Sequence, residues 1–90
     1  MNICEYADSL NIEICLRYYP NQGGRWCADF DSCEIVDGCI LTSAHGNAQT
    51  PEEAIEEYLE QIRGKRIIFN AMDKEKRREY EVPKSLAGMP

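Results

Sequence analysis

The amino-acid sequence predicts an α+β domain: an antiparallel sheet with one helix packed on one face, in the order β-β-β-α-β-β. Short segments alternate apolar and polar residues with period two, as half-buried strands do. One later segment, "TPEEAIEEYLEQIRG", instead repeats apolar residues at intervals of three and four. Clusters of Gly, Pro, Asn and Asp separate the segments and supply the turns.

"LNIEICLRYYP" places Leu10, Ile12, Ile14, Leu16 and Tyr18 on one side and Asn11, Glu13, Cys15, Arg17 and Tyr19 on the other. That is a strand with one wet face. "PNQGG" supplies a hairpin turn. "RWCADFD" then alternates again, with Trp26, Ala28 and Phe30 opposing Arg25, Cys27, Asp29 and Asp31. "CEIVDGCILTSAHG" is a third extended segment, interrupted by Asp37-Gly38. Asp-Gly favours a tight turn, but the flanks are short, which predicts a bulge or bend rather than a second hairpin.

The helix follows. Thr50 is a suitable N-cap, Pro51 suits the first helical position, and Glu53 completes a capping box. Ala54, Ile55, Tyr58, Leu59 and Ile62 form the apolar stripe, while Glu52, Glu53, Glu56, Glu57 and Glu60 cover the rest. Arg63 suits the last turn and Gly64 a left-handed stop. "KRIIFNA" and "RREYEVP" read as the last two strands, with "MDKEK" turning between them and Pro83 ending the second. One domain over 1–90 is expected, with 1–9 and 84–90 loosely held.

Ninety residues leave little room for a second core. A chain of this size buries only about 60–65% of its unfolded surface, so association with a second copy would help. The net charge of −6 argues against non-specific nucleic-acid binding. No apolar run approaches the roughly 18 residues that cross a bilayer. The opening "MNICEYADSL" lacks the pattern of a signal peptide, so a cytoplasmic location is expected. Cysteines at 4, 15, 27, 33 and 39 show no Cys-x-x-Cys spacing, which fits reduced thiols and neither a zinc knuckle nor a redox dithiol. Only Cys33, Cys39 and His45 are conceivable as a metal cluster, and no metal or cofactor is expected.

The run "GGRWCADF", a further strand and then "GNAQTPEEAIEEYLE" resembles the HicB-like antitoxin domain across Tyr18 to Leu59. The resemblance implies a small β-β-β-α-β fold, often dimeric, whose sheet or edge contacts a partner. "EVPKSLAGMP" is too short for the operator-binding motif that such antitoxins carry. Over nearly the whole chain, the order of "YYPN", "GRW", "DG", "GN", "TPEEAI" and "VP" is similar to short reading frames of phages and prophages. This implies a phage-borne accessory protein; many of these neutralise a host component or capture a nucleotide signal of host immunity.

Candidate ligand-binding residues are Tyr19, Arg25, Ser43, His45, Asn47, Lys65 and Arg66. The loop from Ser43 to Thr50 adds polar side chains just before a helix N-terminus, a setting that suits anions. Thr50, Glu52 and Glu53 already satisfy or shield those N–H groups. Tyr19 and Arg25 lie opposite the apolar face and suit stacking or an interface. Trp26, beside Ala28 and Phe30, reads as core. Enzymatic constellations are thin: one histidine, no phosphate loop, and only Cys39 with His45 as a conceivable nucleophile pair. The expected function is non-enzymatic: a homo-oligomer that counters host defence by sequestering a small anionic nucleotide-type ligand. Two alternatives stand beside it. In one, the glutamates of the helix imitate nucleic-acid phosphate against a host defence protein. In the other, the chain is a HicB-like antitoxin. No direct nucleic-acid or membrane contact is expected.

Overall fold

Asparagine at position 2 and glutamate three residues later close a reciprocal cap, and this starts a helix that the alternation pattern does not announce. In the computed structural model, which describes residues 1–88, α1 spans Ile3–Leu10. The Glu5 N–H donates to Asn2 Oδ1 at 2.9 Å, and the Asn2 N–H donates to Glu5 Oε1 at 3.0 Å. Asn11, in the left-handed region at φ 56°, ends it. Ile3, Tyr6 and Ala7 are buried. The amino terminus, expected to be loose, is therefore a docked helix, and Leu10 belongs to it rather than to the first strand.

The strands that follow are β1 (Ile14–Tyr19), β2 (Arg25–Phe30), β3 (Cys33–Asp37), β4 (Ile40–Thr42) and β5 (Gly46–Ala48). Then come α2 (Pro51–Ile62), β6 (Arg66–Phe69) and β7 (Arg78–Glu81). All pairing between these strands is antiparallel, so the α+β class with antiparallel sheets holds, but with two α-helices among the described residues. The strands form two sheets rather than one, ordered β1-β2-β5 and β4-β3-β6-β7. The chain changes sheet at Ser32, whose φ is 55°, and the Asn70 N–H donates to Ser32 O at 3.1 Å across the corner.

Two local expectations change. Asp37 pairs with Ile40, so Gly38 and Cys39 are a two-residue hairpin tip and not a bulge. Gly38 at φ +63° supplies the positive dihedral that such a tip needs. The segment before α2 is not wholly loop: Gly46, Asn47 and Ala48 pair with Ala28, Cys27 and Trp26 as β5.

α2 starts where its caps predict. Thr50 Oγ1 accepts from the Glu53 N–H at 3.2 Å; among the described residues the reciprocal half of the box forms in α1 but not in α2. Its apolar stripe (Ala54, Ile55, Tyr58, Leu59, Ile62) is buried, and the helix lies over β5 and β2. One hydrophobic cluster joins both helices to both sheets. Phe30 is central to it, edge-on to Tyr58 at 5.4 Å and tilted against Phe69 at 6.2 Å. The carboxy-terminal segment joins it through buried Leu86, and the Ile3 N–H donates to Ala87 O at 2.8 Å. Of residues 84–90, expected to be loose, 84–88 thus tie back onto α1, and 89–90 lie outside the described residues.

Candidate functional site

The side of the first sheet turned away from α2 is open, and strand alternation decides what it displays. β1 contributes Cys15, Arg17 and Tyr19; β2 contributes Arg25, Cys27 and Asp29; β5 contributes Asn47, with His45 just before it. Tyr19 faces Arg25 directly across the first pair, and Cys27 faces Asn47 across the second. The positions of Tyr19, Arg25 and Asn47 on one face follow from period two alone.

Arg25 is the best-held of these side chains. Its Nε donates to Asn47 Oδ1 and its Nη2 donates to Asn47 O at 3.1 Å. Two contacts to one residue fix the guanidinium plane and leave Nη1 unengaged among the described residues. Arg17 is exposed, and its neighbour Tyr19 is the main influence pushing its pKa further up. This end of the face carries two arginines and an aromatic ring on a chain whose net charge is −6.

The other end of the face is acidic. Asp29 is half-buried there, and burial raises its carboxyl above the ordinary range, while Arg17 and His45 pull it back and Asp31 pushes it up. His45 and Ser43 are exposed and line a cleft of about 540 Å³ with Asp29, Glu34 and Asp73. Three carboxylates against one imidazole make this cleft a poor receptor for an anion. The His45 backbone is fixed from α2, where Gln61 Nε2 donates to His45 O at 2.8 Å.

Lys65 and Arg66 stand elsewhere. Arg66 opens β6 in the second sheet and pairs with Glu81 at 3.3 Å. Neither residue lines this cleft or the larger one of about 770 Å³ between the α1–β1 junction and the β6–β7 hairpin. The candidate residues thus divide into three groups: Tyr19, Arg25 and Asn47 together; Ser43 and His45 at the acidic cleft; Lys65 and Arg66 apart. Alternation sets Arg17 beside Tyr19 and Asp29 beside Arg25 on this face, but neither is among the ligand-binding residues expected from the sequence.

Trp26 lies on the α2 side, half-buried, with Tyr18 tilted against it at 5.1 Å. All five cysteines are free thiols. Burial pushes Cys33 up to about 11, and Cys39 is exposed at the hairpin tip. Among the described residues, no three His, Cys, Asp or Glu side chains gather into a group that would hold a metal. No helix among them is long and apolar enough to cross a membrane.

On α2, Glu52, Glu53, Glu56, Glu57 and Glu60 are all exposed. Glu56 meets Arg63 at 3.1 Å; no cation pairs with the other four among the described residues. Compared with protein-family models, curated proteins and solved structures, the chain matches none.

Proposed function

We propose that this chain is a small non-enzymatic binding protein, phage-encoded, that counters bacterial host defence in the host cytoplasm by sequestering a nucleotide-derived signal. The resemblance to phage reading frames supplies the setting, and the HicB-like likeness supplies a precedent for a sheet that meets a partner. The observation that supports ligand capture is Arg25, clamped by Asn47 beside Tyr19 on an open face. A base stacks on the Tyr19 ring while Arg25 Nη1 meets a phosphate oxygen. Lys65 and Arg66 have no part in this reading.

A thermal-shift panel of cyclic dinucleotides, linear dinucleotides and ADP-ribose derivatives tests it. A ligand at about a hundred times its Kd adds about 2.7 kcal/mol to stability by mass action. The expected result is a raised Tm that Arg25→Ala removes, with the ligand recovered intact after heating. A panel with no shift rejects sequestration, and a chemically altered ligand rejects the non-enzymatic reading.

The exposed glutamates of α2 favour a second reading, in which they occupy a basic groove of a host defence protein. Here Glu57→Lys with Glu60→Lys abolishes inhibition of the host system without loss of fold, while Arg25→Ala has no effect. The antitoxin reading has no comparable feature in its favour.

A further inference from the structure

β1 (Ile14–Tyr19) is the outermost strand of the first sheet and, among the described residues, pairs on one side only, with β2. The Asp31 N–H donates to Glu13 O, so Glu13, Cys15, Arg17 and Tyr19 turn their backbone groups towards β2. Ile14, Leu16 and Tyr18 turn theirs to the open side. The same three residues point their side chains towards the α2 face, but α2 covers β5 and β2 and stops short of this edge. Leu16 is 40% exposed and Tyr18 52%. Edges of this kind pair with another chain unless charges repel it.

The charges on this edge do not repel a second copy. Glu13 and Arg17 stand symmetrically about Cys15. We propose that β1 is a homodimer interface, in which two copies pair antiparallel across a twofold axis at Cys15. In that register Glu13 of each copy faces Arg17 of the other, Cys15 faces Cys15, and Ile14 and Leu16 exchange backbone hydrogen bonds across the axis. The exposed face of Leu16 is covered by Ile14 of the second copy. Centring the pair on Leu16 would set Arg17 against Cys15 and Glu13 against Tyr19, leaving the charges unmatched. A one-residue slip would set outward backbone groups against inward ones and apolar side chains against charged ones.

The ladder has natural ends: the Ile12 N–H already donates to Ala7 O, and Pro20 has no N–H to offer. Of the other sheet margins, β4 exposes Ile40 and Leu41 but spans three residues with no charge to set a register. The interface stands whether or not the ligand reading does.

Sedimentation equilibrium across a concentration series tests it with wild type, Glu13→Arg, Arg17→Glu and the double swap. All three variants change exposed side chains, so folding is not at stake. The expected result is a dimer whose Kd rises about tenfold or more in either single reversal, where two like-charged pairs replace two opposite ones, and returns in the swap. Diamide oxidation of a Cys39→Ser chain is expected to join two copies through Cys15, the thiols passing their hydrogens to diamide. A monomer at every concentration overturns the proposal. So does a dimer indifferent to both reversals, or a swap that fails to restore association.

Discussion

Gly46 shows how one missing carbon sets the distance between two elements. A Cβ at this position would lie 1.8 Å from Ala54 O and 2.7 Å from the Tyr58 N, both backbone atoms of α2. No rotamer change relieves a clash with backbone, so helix and strand would have to part. Gly46→Ala is expected to cost at least the upper end of the roughly 1–3 kcal/mol typical of overpacked cores, read as a fall in the urea midpoint. Gly38→Ala is the contrast: its Cβ meets nothing within 4 Å, and only the positive φ is strained. It should cost about 1–2 kcal/mol. Equal losses at the two sites would contradict the close helix–strand approach. The sequence contained Gly46 but not this reason for it, because the atoms it avoids lie on α2 and only the fold brings them near.

The thiol of Cys33 and the phenol of Tyr58 give a pH dependence whose sign is fixed. Burial is the main cause in both: it pushes Cys33 from 9.0 to about 11 and raises Tyr58 as well. Each group is neutral when protonated, so the folded state holds its proton more tightly than the unfolded state. The stability linked to Cys33 is fully present below about pH 9 and drains away as pH rises through about 11. Tm is expected to fall over that window, and Cys33→Ala should flatten the fall in part. A Tm that rises from pH 9 to 11 would contradict the burial of both groups. At pH 8, alkylation should reach exposed Cys39 first and Cys33 last.

Among the elements, α2 was legible because its signals are local. Thr50, Pro51, the glutamates, the apolar stripe and Gly64 all lie within one short stretch, and each acts on its neighbours. Pro51 brings no N–H, so the cap has few donors to satisfy: Thr50 Oγ1 takes the Glu53 N–H, and Thr50 O takes the Ala54 N–H at 3.0 Å. Thr50→Ala should cost about 1 kcal/mol and Thr50→Ser much less, measured by chemical denaturation. A neutral Thr50→Ala would mean that the backbone contact alone defines the start. The face of β1 was misread for the opposite reason. Alternation does set Leu16 and Tyr18 beside Ile14, but whether anything covers them depends on where α2 ends. The helix reaches β2 and not the outer strand, so two residues on the apolar side of the alternation are exposed. α1 was missed although Asn2, Glu5 and the spacing of Ile3, Tyr6 and Ala7 were all present. Eight residues are too few for an isolated helix to hold in water, and what sustains this one is packing.

That packing depends on the two ends of the described chain meeting. The Ile3 N–H donates to Ala87 O, the Ala87 N–H donates to Met1 O at 3.1 Å, and Tyr6 Oη donates to Glu81 O at 3.4 Å. Arg63, just past α2, donates from Nε to Leu86 O at 2.8 Å, so both helices hold the same segment. Leu86 is 2% exposed and is the buried side chain of that segment, in the cluster that contains Ile3 and Ile62. This arrangement also explains why the candidate cations separate: the chain leaves the first sheet at Ser32, and the return after α2 carries Lys65 and Arg66 into the second. Leu86→Ala removes an anchor that α1 shares, and truncating a buried leucine costs about 2–5 kcal/mol. The loss should be uneven. α1 has only eight residues and depends on this segment, whereas α2 keeps its own contacts to β5 and β2. Native-state hydrogen exchange is therefore expected to show α1 amides losing protection ahead of α2 amides in Leu86→Ala, with the β1–β2 ladder changed only by the global loss. Uniform loss across both helices would mean that α1 is held by the sheets and not by the returning segment.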